Sequence, residues 1–304
     1  MTPRAEALLA VCTLSLTLLG TRSLTPATAP AVAAPSARTT TDASGALFSR
    51  GSRQCIASAS TVADRVLLAL VGADHLCAVA TPESCARPWC FELRGKPRVR
   101  TLDDVAALAA LHADLIVTAN PGTDARLIHL REAGLPVFDL GPSAGLEALH
   151  TATLRLGAVL DRDAAAASYW RRFSKRMATI ADPTTTRPTA LYLALYGSFL
   201  AGGARDTSWH DVLESAGLTD AASDRVGWPS WTALDVAERN PAWIVTERGM
   251  GPLLCAREGI AQTAACRAGR IAEIDGDLLS DPGPTMLDAA EALADRIAEL
   301  SASP

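Results

Sequence analysis

Short runs of consecutive apolar residues alternate with longer stretches in which apolar positions recur every three or four residues, and this rhythm holds from about residue 50 to about residue 300. The segment "QCIASAS" reads as a strand, "TVADRVLLALVG" as a helix ending at Gly72, and "HLCAVA" as a second strand. Next come a helix over 101–112, the strand "DLIVTA", a helix over 122–133 stopped by Gly134, and the strand "LPVFDL". Strands that are apolar throughout and separated by helices belong to a parallel sheet covered on both faces.

The texture changes at "DRDAAAASYWRRFSKRMATI", residues 161–180, which has no Gly or Pro, an acidic start and a basic second half. Twenty residues predict one helix about 30 Å long, enough to bridge two lobes. The alternation then resumes with the strand "TALYLALYG", a helix over 208–216 ending at Gly217, a helix over 232–239, the strands "AWIVTE" and "RIAEID", and a last helix over 285–300. The predicted fold is α/β, two lobes with parallel central sheets joined by a single long backbone helix. The stretch "TLDDVAALAALHADLIVT" in the first lobe is echoed by "TALDVAERNPAWIVT" in the second, which marks matched helix-strand units, one per lobe, each with an acidic residue near its helix start.

The N-terminus stands apart. Arg4 precedes an apolar run over 7–20 that is too short to span a bilayer, and the small-residue stretch "PATAPAVAAPSA" follows. This predicts a secretory leader cleaved after Ala33; Val11 before Cys12 does not suit a lipidation signal. The expected layout is a signal peptide over 1–33, a flexible Ser/Thr/Ala/Pro-rich lead-in over 34–50, a first lobe over 51–160, the bridging helix over 161–182 and a second lobe over 183–304.

Export changes the cysteine arithmetic, because seven cysteines less Cys12 leave an even six. Sequence alone permits fifteen pairings, and locality favours Cys55 with Cys77, Cys85 with Cys90, and Cys255 with Cys266. No pair has the two-residue spacing of a zinc knuckle. With 304 residues, half of them apolar, the chain can bury a full core, and a net charge of −5 leaves no basic field for nucleic acid.

The order of these elements, together with "LREAGLPVFDL", "LYGSFLAGG", "SWHDVLESAGL", "GWPSWTALDVAERNPAWIV" and "RIAEIDGDLLSDPGP", resembles the class III, helical-backbone periplasmic binding proteins. These are the receptors of ABC importers for cobalamin, haem and ferric siderophores. The resemblance covers about residues 50–302 and implies an exported monomer with no cofactor of its own. Such a protein would capture a metal chelate between its lobes and deliver it to the permease subunits. One acid on each lobe would dock on the permease. The first-lobe position matches Asp103, with Asp104 beside it; the second-lobe position matches Leu234, and the nearest carboxylate is Asp235.

Aromatic residues make up only 5% of the chain, yet Trp89, Trp209, Trp228 and Trp231 fall in or beside predicted loops, with Tyr196 and Phe199 at the end of "LYLALYG". Flat conjugated ligands bury their faces well against such rings, and Trp228 matches a family position that contacts ligand. The first lobe lacks the aromatic that cobalamin receptors place before the docking helix. Arg205 and Arg248 are candidate partners for ligand carboxylates. His210 is a candidate axial ligand or a cap, and His75 reads as structural. Two other readings are a zinc or manganese receptor of the same superfamily, needing several converging His/Asp/Glu side chains, and a two-lobed exported enzyme. For the latter, "GSFLAGG" and "GMGP" fit no nucleotide fingerprint and no Ser sits in Gly-x-Ser-x-Gly.

Overall fold

Two parallel four-stranded sheets organise the protein. A computed structural model describes residues 38–119, 124–182, 186–279 and 283–302, all within one unit, Pro35–Pro304. The expected leader, with Cys12 and the cleavage after Ala33, lies outside the described residues. The described chain opens with two strands, β1 (Thr39–Thr41) and β2 (Leu47–Ser49). The first-lobe sheet is built from β3 (Ile56–Ser58), β4 (Leu76–Ala78), β5 (Leu115–Thr118) and β6 (Val137–Asp139), in the order β4-β3-β5-β6. Its helices are α1 (Thr61–Val71), α2 (Val105–Ala110) and α3 (Asp124–Glu132). Every residue of β3, β5 and β6 is buried, which explains strands without polar alternation.

Helix α1 shows how sequence becomes packing here. Val62, Ala63, Val66, Leu67 and Leu70 form its buried stripe, and Gly72, at φ 80°, ends it by returning its N–H to the Leu68 carbonyl. Asp64 lies on the same buried face and accepts hydrogen bonds from the Thr81 N–H and hydroxyl, both at 2.6 Å. Burial pushes its carboxyl above the usual range, and those bonds partly offset it. The result fastens α1 to the loop that leaves β4.

Two helices follow the first sheet, α4 (Gly145–Val159) and α5 (Asp163–Ala178). Helix α5 has 16 residues, a rod of about 24 Å, somewhat shorter than predicted. The sequence reading passed over α4. Its N-cap residue, Ala144, offers no capping side chain; the free Leu146 N–H is instead satisfied by Asp211, 65 residues away, at 2.6 Å.

The second lobe contains β7 (Thr189–Tyr192), β8 (Ala194–Tyr196), β9 (Phe199–Ala201), α6 (Ser208–Ser215), β10 (Thr219–Asp220), β11 (Ser230–Trp231), α7 (Ala233–Arg239) and β12 (Trp243–Glu247). It continues through α8 (Gly251–Cys255), α9 (Ala264–Arg267), β13 (Ile271–Ile274), α10 (Gly276–Leu279) and α11 (Thr285–Ala302). Its parallel sheet has the order β10-β7-β12-β13. The segment expected as one strand, "TALYLALYG", splits. β7 stays in the sheet, while β8 turns out to pair with β9 across Gly197-Ser198, where Gly197 takes φ 62°. A glycine with positive φ at the first turn position suits a tight hairpin.

One apolar cluster runs through both lobes. It joins Val66 and Leu67 of α1, Leu156 of α4, Phe173 and Met177 of α5, Trp209 and Val212 of α6, Val245 of β12, and Met286 and Leu293 of α11. Ion pairs cross the same region: Arg65 of α1 grips Asp288 of α11 with two bonds, 2.7 and 3.2 Å, and Arg176 of α5 meets Glu291 of α11 at 2.7 Å. The three disulfides follow locality: Cys55–Cys77 staples the approach to β3 onto β4, Cys85–Cys90 closes a six-residue loop, and Cys255–Cys266 ties α8 to α9.

Part of the lead-in expected to be flexible forms regular structure, the strands β1 and β2. β1 and β2 form an antiparallel hairpin, anchored by Asp42, whose side chain is buried. Asp42 accepts hydrogen bonds from the N–H groups of Ser44, Ala46 and Asp139 and pairs with Arg131. Arg50 holds the end of the hairpin to Asp161, at 3.0 Å, and Asp163. Removing one partner of a buried pair leaves the other desolvated and uncompensated, so Asp42→Ala should lower unfolding stability by about 3 kcal/mol. Chemical denaturation would check this, with Ser44→Ala, which leaves the pair intact, as a milder control.

Candidate functional site

The C-terminal edges of the two parallel sheets border an inter-lobe groove, where α/β folds place their ligand loops. Sheet order fixes what stands at each end. β4 and β13 are edge strands, and so are β6 and β10. At one end, the loop after β4 and the start of α10 enclose a chamber of about 240 Å³. It is lined by Thr61, Thr81, Arg87 and Trp89 from the first lobe and by Asp277 and Thr285 from the second. At the other end, Pro142, Glu147 and Arg155 face Arg205, His210 and Asp211 across an open space of about 710 Å³.

The second lobe also presents a set of exposed aromatic rings. Tyr196 and Phe199 are cross-strand partners beside the hairpin turn, 68% and 50% exposed, while the next pair, Leu195 and Leu200, points the other way. Trp228 is 55% exposed and meets the edge of Tyr192 at 6.2 Å. Tyr192 is buried at the end of β7, stacked face to face on Trp209 at 4.1 Å. Burial, aided by the nearby Tyr196 and Glu247, pushes the Tyr192 hydroxyl well above its usual pKa. It therefore stays neutral and acts as the inner support of Trp228.

Two expected ligand-facing tryptophans belong to the core instead. Trp209 falls on the buried stripe of α6 with Val212 and Leu213, so its ring is spent on Tyr192. Trp231 pairs with Leu200 in the β9–β11 register, which turns its side chain inward. There the guanidinium carbons of Arg225 and Arg239 sit 4.6 and 4.8 Å from its ring centroid. Of the other expected site residues, Trp89, Arg205 and His210 line the two ends of the groove. Arg248 follows β12 and pairs with Asp275 at 3.0 Å, both side chains exposed. His210 is hydrogen-bonded through Nδ1 to the carboxylate of the buried Asp220 at 2.8 Å. His75 rests on the Arg53 carbonyl, a structural contact.

The acids expected at the docking surface do different work. Asp103 is exposed and pairs with Arg126 at 3.0 Å. Asp104 caps α2 by accepting from the Ala107 N–H. Asp235 completes a capping box with Thr232 on α7 and bonds Arg225; the bond from the Thr232 hydroxyl is the main reason its carboxyl sits below the usual range. Leu234 is 66% exposed.

Sequence reasoning missed Thr61, Thr81, Arg87, Asp277, Glu147 and Arg155. "CARPWC" was legible as a loop, but nothing in it signalled that Arg87 faces the second lobe. Among the described residues, no group of three or more His, Cys, Asp or Glu side chains converges as a metal site, and no helix is long and apolar enough to cross a membrane.

Residues 56–278 match the family model for "Periplasmic binding protein". The chain belongs to the periplasmic binding protein family. An uncharacterised ABC transporter substrate-binding lipoprotein of Bacillus subtilis (strain 168) is 30% identical over 94 residues, 31% of this chain and 30% of that protein. A cobalamin-binding protein of Halobacterium salinarum is 22% identical over 198 residues, 61% of this chain and 53% of that protein. The chain thus spans between about a third and a half of these relatives' lengths. A periplasmic haem-binding protein from Pseudomonas aeruginosa superposes with a TM-score of 0.65 at 24% identity, covering 80% of this chain and 91% of that one. That likeness shows the shared two-lobed fold of this periplasmic binding protein.

Asp211 joins the lobes at the groove's wide end, and its carboxyl is pushed above the usual range mainly by burial, with the Leu146 N–H opposing. A Cβ on Gly145, which takes φ 82°, would lie 2.3 Å from that carboxylate, so glycine is required there. A raised folded pKa means that the ionised form is disfavoured in the folded state. The Asp211 contribution is therefore fullest below its unfolded value and is lost as pH rises through the folded one. Asp211→Asn keeps an acceptor for Leu146 but does not titrate. Its melting temperature should rise relative to the parent between about pH 4 and neutrality; parallel curves from thermal denaturation would show that Asp211 is not strained by burial.

Proposed function

We propose that this chain is the exported solute-binding subunit of an ABC importer, capturing a metal chelate (a corrinoid, a ferric siderophore or haem) between its lobes and handing it unaltered to the permease. The observation that carries this reading is the set Trp228, Tyr196 and Phe199, three exposed rings of the second lobe, two beside the β8–β9 turn and one against Tyr192 at the C-terminal end of β7. Exposed aromatic faces suit a broad conjugated ligand rather than a bare ion. Relatives and structural neighbours named for cobalamin and haem support the same class. Three disulfides suit an oxidising compartment outside the cytoplasm. A receptor for bare zinc or manganese finds less support: Glu147, Asp206, His210 and Asp211 line the wide end, but among the described residues no three such side chains are gathered as a metal site.

Titration of the purified protein with haemin, cyanocobalamin and a ferric hydroxamate, followed by visible absorbance, tests the reading. Binding of at least one chelate is expected, and Trp228→Ala should weaken it about tenfold, the loss of one ring stacked on the ligand. Failure of all three to bind, with zinc bound instead, would remove the proposal.

For docking, the first-lobe acid is Asp103, because its carboxylate is exposed and its ion-pair partner, Arg126, is itself 41% exposed. Asp104 and Asp235 are engaged in helix caps. Asp103→Lys should therefore abolish chelate uptake by cells while leaving solution affinity within about twofold. Loss of solution binding would make the residue structural instead.

A further inference from the structure

From the chamber at the β4 end of the groove, and resting on the reading above, we infer that Arg87 is a specificity residue for a pendant carboxylate: the captured chelate carries a free carboxylate arm that enters this chamber and pairs with the guanidinium. The chamber, at about 240 Å³, falls below the ~300–1,000 Å³ that encloses a drug-sized molecule. It fits an arm of a larger ligand, not the ligand's body.

Arg87 is held in place from several sides. The Cys85–Cys90 bond closes the loop around it. Pro88 follows it, and a residue before proline is confined to extended backbone; Arg87 has φ −75° and ψ 149°. The next ring, Trp89, lies 5.7 Å from the guanidinium carbon of Arg65, which Asp288 of the second lobe grips in turn. The loop is thus fixed to both lobes before any ligand arrives, so binding there orders little that was free.

Its charge is uncompensated. Among the described residues Arg87 has no ion-pair partner, whereas Arg65, in the same neighbourhood, has one. An arginine cannot shed its proton, and a half-buried guanidinium facing a chamber is best satisfied by a carboxylate, which accepts its paired N–H donors. The opposite wall carries Asp277 and Thr285. Asp277 does not pair with Arg87, and it suits a hydroxyl or amide donor on the same arm. A bare anion would meet this carboxylate unfavourably, so a carboxylate attached to a donor-bearing body fits better than a free inorganic ion.

The test compares chelates in matched pairs that differ in free carboxylate: haemin and its dimethyl ester, cyanocobalamin and its monocarboxylate, and ferrioxamine B acetylated or succinylated on its amine. Affinities are measured for the full mature protein, for Arg87→Gln and for Arg87→Lys. Whichever chelate binds, its carboxylate-bearing form should bind at least tenfold tighter. Arg87→Gln should erase that preference, lowering the affinity for the carboxylate-bearing form about tenfold more than that for the carboxylate-free form, and Arg87→Lys should restore part of it. An unchanged melting temperature and intact Cys85–Cys90 bond establish that the variants are folded. Equal binding of the paired forms by the parent protein, or a preference that survives Arg87→Gln, overturns the inference while leaving chelate capture standing. Failure of every chelate in both forms sinks both.

Discussion

The groove exists with a defined width because the lobes share a core. Helices α4, α5, α6 and α11 bring Leu156, Phe173, Trp209 and Met286 into one apolar cluster with strand residues of both sheets. Burying such side chains contributes about 1.5–3 kcal/mol each relative to exposure, so separating the lobes would expose many of them at once. The ion pairs Arg65–Asp288 and Arg176–Glu291 run through the same joint. They add direction more than strength, since both are part-exposed and screened. A wide hinge motion would have to break this joint, which confines ligand-driven movement to loops and small closures.

That constraint explains why the ends of the groove differ. Near β4, Asp64 and the Cys85–Cys90 bond draw the loop after the strand close to α1, leaving a small chamber. Near β6, Asp211 reaches from α6 to the start of α4, and the surrounding side chains are long and charged, so the space stays open. The same kind of contact, a carboxylate on backbone N–H groups, sets the shape at each end. In one case it works within a lobe and in the other between lobes.

Much of the fold was legible because burial on both faces writes itself into strands such as "DLIVT" and "WIVT", and glycines such as Gly72 punctuate the helices. What escaped was anchored from a distance. Helix α4 carries no start signal of its own because its cap, Asp211, lies in the other lobe. The hairpin of β1 and β2 looked like a linker because its anchor, Asp42, finds Arg131 89 residues away. At the candidate site, the exposure of Trp228 was legible from its loop, but the burial of Trp209 and Trp231 was not. A tryptophan one residue into a helix or strand faces core or groove according to register, and register is settled by partners such as Tyr192 and Leu200.

The internal repeat makes the same point at the level of single carboxylates. Thr101-Leu102-Asp103-Asp104-Val105 and Thr232-Ala233-Leu234-Asp235-Val236 place Thr and Asp-Val at identical spacing. In the second copy Thr232 caps α7 and Asp235 closes the box. In the first, the Thr101 hydroxyl bonds Asp103 instead, and the cap passes to Asp104, so α2 starts three residues later than its counterpart. The extra acid decides which: with Asp at 103 rather than Leu, Thr101 has a nearer acceptor, and the helix yields its first turn. One substitution within a repeated word thus leaves the first lobe with an exposed carboxylate at a position where the second lobe exposes Leu234. Any partner reading both lobes meets two chemically different surfaces on a nearly symmetric frame.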